Sequence, residues 1–243
     1  MIAAKSYLGK KVAVMGLARS GQSAAEALKA GGAEVIAWDD DVKKCRESAL
    51  LGINISDLTK EDFTNIDALV LSPGIPHSHP KPHVVAKKAK KANTPIIGDI
   101  EIFVKNFIEP RIIGITGTNG KSTTTALVGQ ILRCAGLPVE IGGNIGLPVL
   151  GFENTLDAGY QVLELSSYQL ELTPSLCCEI AVILNISPDH LDRHGGMDGY
   201  KAAKLKIMES LPENAIAIIG VDDPESIGTV SYTHLTLPTK RIV

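Results

Sequence analysis

Residues 111–126, RIIGITGTNGKSTTTA, constrain this chain more than any other stretch. A β-branched run (Ile112, Ile113, Ile115) enters a Gly-Thr-Asn-Gly-Lys-Ser-Thr loop that opens a helical pattern. Gly117 and Gly120 let the backbone aim its N–H groups at one point, and the helix N-terminus adds partial positive charge there. In such a cradle Lys121 reaches the β- and γ-phosphates of a nucleotide and the Ser122 hydroxyl holds Mg2+. The strict G-x-x-x-x-G-K-[ST] spacing is not met, because Ile115 stands five residues before Gly120. A plain Gly-rich turn is the alternative; the strand-to-helix context favours the cradle.

The flanking sequence supplies the β/α alternation such a loop requires. Residues 11–15 (KVAVM) form an apolar strand pattern, followed by GLARSG, an Ala-rich helix to about Ala30, and a strand over 34–38 ending on Asp39, Asp40 and Asp41. This is the layout of a dinucleotide-binding half, but its fingerprint is incomplete: Ala18 stands where G-x-G-x-x-G places its second glycine. That weakens an NAD reading and leaves a helix N-terminus, flanked by Arg19 and Ser20, suited to some diphosphate. A strand over 67–71 runs into Ser72, Pro73 and Gly74, a rigid turn at a carboxyl end of the sheet, which reads equally as a ligand loop or a structural one. Lys81, Lys87, Lys88, Lys90 and Lys91 stud the next helix as a solvated face. The first unit is expected to end near Gly98, after a short strand over 94–98.

Beyond a short helix over 99–107 and the phosphate loop with its helix, strand patterns recur at 138–141, 161–165, 180–184 and 215–219, predicting a mainly parallel, two-sided sheet. Glu164 falls near a strand's carboxyl end, where an ion on ATP could lie. Residues 185–194 (NISPDHLDRH) are a polar loop dense in ligating groups; on residue type alone His190 reads more readily as a hydrogen-bonded loop histidine than as a ligand. Lys204, on a predicted helix over 199–210, reads as a surface lysine.

Composition narrows the class. At 243 residues and 44% hydrophobic content the chain can bury one large core or two modest ones. It has no apolar run near the roughly 20 residues of a membrane span and no signal-peptide pattern, so a soluble cytoplasmic protein is expected, with no membrane partner. Net charge of −3 argues against a general nucleic-acid binder. Cys45, Cys134, Cys177 and Cys178 show no metal spacing and are expected as reduced, mostly buried thiols.

Taken together, GLARSG, SPGIP, GTNGKST, GGNIG, LELSSYQLE, NISPDHLDRH and YKAAKLKI, in this order over residues 6–230, resemble the Mur ligase family of ATP-dependent amide-forming ligases. Folylpolyglutamate synthases and other Mur ligases share the ATP loop; LELSSYQLE with SPGIP and a Rossmann-like start favours the branch that adds D-glutamate. The resemblance implies an α/β chain: a Rossmann-like, UDP-substrate-binding domain over 1–98 and an incomplete P-loop-type ATPase domain with a mainly parallel sheet over 99–230. It implies a uridine nucleotide at Arg19, Ser20, Asp39, Asp40, Ser72, Pro73 and Gly74. Asn144, Ser166 and Gln169 would line the muramoyl-alanine end of the substrate.

ATP would sit on Gly117, Thr118, Asn119, Gly120, Lys121, Ser122 and Thr123, with one Mg2+ at Ser122 and Glu164 and a second at His190 and Lys204. The resemblance makes Lys204 a carbamylated lysine, reversing its surface reading, and gives Lys121, His190 and Lys204 the catalytic roles. The implied substrates are UDP-N-acetylmuramoyl-L-alanine and D-glutamate, joined through an acyl phosphate by a monomer in peptidoglycan precursor synthesis. Family members end in a further domain that binds the incoming amino acid, which this chain is expected to lack, so the fragment is expected to be inactive alone. Residues 231–243 (SYTHLTLPTKRIV) resemble translated adapter sequence and are expected to be non-native, a divergent tail being the alternative. A stand-alone nucleotide-binding module and an NAD-dependent oxidoreductase are the competing functional classes.

Overall fold

The computed structural model describes residues 1–106, 111–152 and 159–232. Phe107, at the end of the helix expected over 99–107, and residues 233–243 of the expected non-native tail lie outside that description. The chain divides into two units, Met1–Ile108 with Pro148–Asn154, and Glu109–Leu147 with Thr155–Val243.

The first unit is built on a five-stranded sheet whose order is β3-β2-β1-β4-β5, comprising β1 (Lys11–Met15), β2 (Glu34–Trp38), β3 (Asn54–Ile55), β4 (Ala68–Leu71) and β5 (Ile96–Ile97). All its pairings are parallel, so each strand's carboxyl end lies on the same edge. Parallel neighbours need crossovers, supplied by α1 (Arg19–Ala30), α2 (Val42–Leu50) and α3 (Val84–Lys91). β1 and β4 are buried on both faces, which is why they read as unbroken apolar runs instead of alternating ones. α2 and β3 carry no strong periodicity and were not legible beforehand; Asp41 caps α2 by accepting from the Lys43 N–H at 2.9 Å.

The helix expected to open the second unit belongs to the first. α4 (Asp99–Lys105) buries Ile100, Ile102, Phe103 and Val104, and Phe103 meets Phe152 edge-to-face at 5.8 Å. Its partner is the segment around the 3-10 turn Val149–Gly151, which returns from far along the chain, so no local signal marks the boundary at 98 as too early.

The second unit carries another five-stranded sheet, ordered β10-β9-β6-β8-β7 and again parallel in every pairing. Its strands are β6 (Arg111–Thr116), β7 (Val139–Gly143), β8 (Tyr160–Glu164), β9 (Ile180–Ile183) and β10 (Ile216–Ile219). Ile113, Ile115 and Val162 centre its core, with Val128 and Leu132 of α5 (Lys121–Cys134) packed against them. β6 lies centrally between β8 and β9, and the chain leaving it runs through α5 to β7, on the far side of β8. The loop after β6 therefore stands at a topological switch point, where the crevice of a parallel sheet opens. The remaining helices are α6 (Ser167–Glu171), α7 (Leu191–His194), α8 (Met197–Leu205) and α9 (Pro224–Tyr232). Cys45 and Cys178 are buried and Cys134 and Cys177 exposed, all as free thiols, so only half fit the expectation of burial.

Candidate nucleotide site

The loop after β6 is shaped by backbone that only glycine adopts readily. Gly117 has φ of 155° and Gly120, the residue before α5, has φ of 82°. A Cβ on Gly117 would stand 3.0 Å from the Leu184 Cβ, so the loop lies hard against the end of β9. No side chain caps α5. Its first N–H groups, those of Lys121, Ser122 and Thr123, are the ones a helix start leaves without an intrahelical partner.

Asn185 decides which other N–H groups remain for a ligand. Its carbonyl accepts from the Thr118 N–H at 3.0 Å and its side-chain oxygen from the Asn119 N–H at 2.9 Å, while its amide donates back to the Asn119 carbonyl at 3.1 Å. The first half of the loop is thus fixed to the strand end beside it, and the donors left for a ligand are those from Gly120 onward. Thr118 adds a hydroxyl that donates to the Ser187 carbonyl at 3.1 Å and accepts the Ser187 N–H at 3.0 Å.

Three of the expected residues converge beneath the helix start. The Ser122 hydroxyl donates to Glu164 Oε2 at 2.7 Å and the Asn144 amide to Oε1 at 2.8 Å. Glu164 is only 1% exposed, so both carboxylate oxygens have partners where an unpaired one would be costly. The chain reaches this arrangement because β8 ends at Glu164 beside β7, whose Gly143 (φ of 97°) would place any Cβ 2.3 Å from the Glu164 carbonyl. A hydroxyl and a carboxylate next to a phosphate cradle are hard oxygen donors, and they fit Mg2+.

Both lysines donate to carbonyls of the loop. Lys121 folds back onto its own loop, donating to the Thr118 carbonyl at 2.8 Å. Lys204, which on residue type reads as a surface lysine, is 2% exposed and donates to the Gly117 carbonyl at 2.7 Å. Burial, reinforced by the charge of Lys121 and opposed by Asp189, pushes its pKa down to about 7. An amine that donates is no metal ligand, and His190 is an exposed residue with left-handed backbone (φ of 49°), 3.4 Å from Asp189 Oδ2. Among the described residues no group of three or more His, Cys, Asp or Glu side chains is arranged to hold a metal ion. The side chains as they stand therefore do not fit the second Mg2+ expected at His190 and Lys204.

Ser166 and Gln169 form a capping box at the start of α6: the Gln169 N–H donates to Ser166 Oγ at 3.2 Å, and Gln169 Oε1 accepts the Ser166 N–H at 3.1 Å. Gln169 is 1% exposed. Asn185 and His194 bound the polar loop flagged in the sequence, but neither they nor Tyr200 were given a role there. Only the four-residue spacing of Tyr200 and Lys204 on one helix hinted that both face the loop; the Tyr200 hydroxyl lies 3.1 Å from Thr118 Oγ1.

In the first unit the incomplete glycine fingerprint has a steric explanation. A Cβ on Gly21 would sit 1.8 Å from the Gly16 carbonyl, and one on Gly16 would sit 2.7 Å from Ser72 Oγ. Those two glycines bring α1 against the β1 turn, whereas Ala18 is exposed and adopts an ordinary extended conformation before the helix. Arg19 and Ser20 open α1. Asp39 holds the turn together, accepting from the Leu17 N–H at 2.7 Å and the Asp41 N–H at 2.8 Å, with Lys44 3.5 Å away. Asp40 is exposed and pairs with His83 at 3.2 Å. Ser72 donates to the Gly16 carbonyl at 3.0 Å, which places Ser72, Pro73 and Gly74 beside the same helix start.

Two parallel α/β units, the second with a glycine-rich strand-to-helix loop over a buried carboxylate, define the class of fold. Residues 115–238 match the Mur ligase middle domain, and the chain belongs to the Mur ligase family. It is 53% identical over 230 residues to the UDP-N-acetylmuramoylalanine--D-glutamate ligase of Caulobacter sp. (strain K31), covering 92% of this chain and 49% of that one. The protein of the same name from Phenylobacterium zucineum (strain HLK1) is 48% identical over 249 residues, covering 100% and 53%. The chain thus spans about half the length of the curated relatives it matches. Among solved structures, the UDP-N-acetylmuramate:L-alanyl-gamma-D-glutamyl-meso-diaminopimelate ligase of Neisseria meningitides superposes with a TM-score of 0.60 at 18% identity, covering 92% of this chain and 75% of that one, a likeness of fold.

Proposed function

We propose that this chain is the nucleotide-handling part of an ATP-dependent, Mg2+-requiring cytoplasmic ligase that joins D-glutamate to UDP-N-acetylmuramoyl-L-alanine in peptidoglycan precursor synthesis, serving cell wall growth and division. The observation that carries this reading is the Ser122–Glu164–Asn144 constellation under the phosphate loop. The names of relatives near 50% identity support the choice of substrates.

In this reading ATP lies on residues 117–123, its phosphates taking the N–H groups from Gly120 to Thr123, and Lys121 exchanges the Thr118 carbonyl for the β- and γ-phosphates. Ser122 and Glu164 would hold Mg2+, which when bound neutralises phosphoryl charge. The alanyl carboxylate attacks the γ-phosphorus, ADP leaves, and the acyl phosphate is attacked by the amine of D-glutamate. The tetrahedral intermediate then expels phosphate and leaves the amide. The chain's task in the first step is alignment and charge stabilisation. Asn144 and Ser166 stand at the muramoyl-alanine end, and Arg19, Ser20, Asp40 and residues 72–74 take the uridine diphosphate. Asp39 and Gln169 contribute there by shaping the backbone, given where their side chains are already bonded. Lys204 becomes an oxygen ligand beside His190 only as a carbamate.

Calorimetric titration of the chain with Mg-ATP tests the cradle. Lys121→Ala should weaken binding by about ten- to a hundredfold, the worth of charge-assisted hydrogen bonds, and unchanged affinity overturns the assignment. Fused to the remaining half of the Caulobacter relative, the chain should release phosphate only when both substrates are present. Binding without such release would instead identify a stand-alone nucleotide module. Sequencing the gene past codon 230 tests whether residues 231–243 are native.

A further inference from the structure

His194 is a buried histidine to which the proposed reaction gives no role. Its Nε2 lies 2.9 Å from the Ser167 hydroxyl and its Nδ1 3.2 Å from Glu171 Oε1. The order Ser–His–Glu is that of a nucleophile, its base and an orienting acid, but Ser167, the first residue of α6, is 3% exposed and out of a substrate's reach. The linkage instead ties the last residue of α7 to both ends of α6. A four-residue helix cannot hold itself in water, so α7 takes its position from such contacts.

The ring of His194 lies between two tyrosines, stacked on Tyr168 at 5.2 Å and 12° and tilted against Tyr200 at 5.4 Å. Tyr200 is 2% exposed, and its hydroxyl meets Thr118 Oγ1 in the phosphate loop. Gly195 and Gly196, with φ of 72° and 118°, let the chain reverse between His194 and α8, which carries Tyr200. The hydrogen bonds to Ser167 and Glu171 fix the imidazole plane, the plane fixes the Tyr200 ring, and the ring delivers its hydroxyl to Thr118.

We propose that His194 is a positioning residue for the phosphate loop, acting through Tyr200 on Thr118. This rests on the reading of residues 117–123 as an ATP loop. The expected effect is specific to phosphate, because the path ends on Thr118 of the phosphate loop.

A double-mutant cycle on the intact chain tests it, with ATP and adenosine as ligands well below the melting temperature. Tyr200→Phe and His194→Ala should each weaken ATP about fivefold, roughly one neutral hydrogen bond, and leave adenosine unchanged. The double variant should be no weaker than the worse single one, because both act along one path. Glu171→Gln and Ser167→Ala repeat the cycle should His194→Ala fail to fold. Additive losses, an unchanged ATP affinity, or equal losses for ATP and adenosine would overturn the proposal. A wild-type chain that does not bind ATP would remove the underlying reading, and the inference with it, a result distinct from an additive cycle.

Discussion

Glu164 shows how a single side chain organises a site. Its carboxylate is buried and joined to a hydroxyl from α5 and an amide from the turn after β7, so three separate segments are bound to one charge. Glu164→Gln keeps the volume but removes the charge. It should raise the Mg2+ concentration needed for half-maximal ATP binding by tenfold or more, roughly one charge-assisted contact, while leaving metal-free ADP binding nearly unchanged, as a fluorescent-nucleotide titration can measure. Lys204 invites a second experiment. With its pKa near 7, the amine is largely neutral at pH 8 and can add CO2, giving a carbamate and a proton. Carbon-13 NMR with labelled bicarbonate should show a carbamate signal that rises from pH 6.5 to 8.5 and is absent in Lys204→Ala. Ser122 and Glu164 were legible in the sequence because a phosphate loop and a strand end are local patterns. The burial of Lys204 was not, since it depends on a carbonyl 87 residues away.

At the scale of elements, the longer apolar strands declared themselves, while β3 and α2 did not. β1, β2, β6 and β9 are short apolar runs bounded by turn residues, and the structure places them within a residue or two of expectation. α4 shows the limit: its four buried apolar residues could serve either unit, and the segment that claims them arrives only at Val149–Gly151. The approach of β7 to β8 also lies outside local pattern, yet it is strict. Gly143→Ala would combine left-handed backbone with a Cβ 2.3 Å from the Glu164 carbonyl. It should cost on the order of 2–3 kcal/mol, from strain that L residues resist. Thermal unfolding read against wild type checks this, and loss of Mg2+-dependent binding should accompany it because Glu164 is displaced.

At the scale of the whole molecule, the chain carries two separately built parallel sheets with separate candidate sites. Each ligand should therefore protect its own unit: UDP the unit containing β1, ATP the unit containing β6. At a hundredfold excess over Kd each should add about 2.7 kcal/mol to the unit that binds it. Hydrogen exchange, followed strand by strand, would detect protection of β1 and β4 by UDP and of β6 and β9 by ATP; protection of both sheets by either ligand alone contradicts that independence.

If residues 117–123 hold ATP, the hydrogen bond from Lys121 to Thr118 would act as a ruler for the length of a phosphate chain. Because the ammonium already has an acceptor in its own loop, a ligand releases it only by offering a better one at the distance Lys121 can span. A monophosphate stops short and leaves that bond intact, so Lys121→Ala should scarcely alter AMP affinity while sharply reducing that of ATP. Discrimination between a monophosphate and a nucleotide that carries a β-phosphate would then reside in a contact that exists before either arrives.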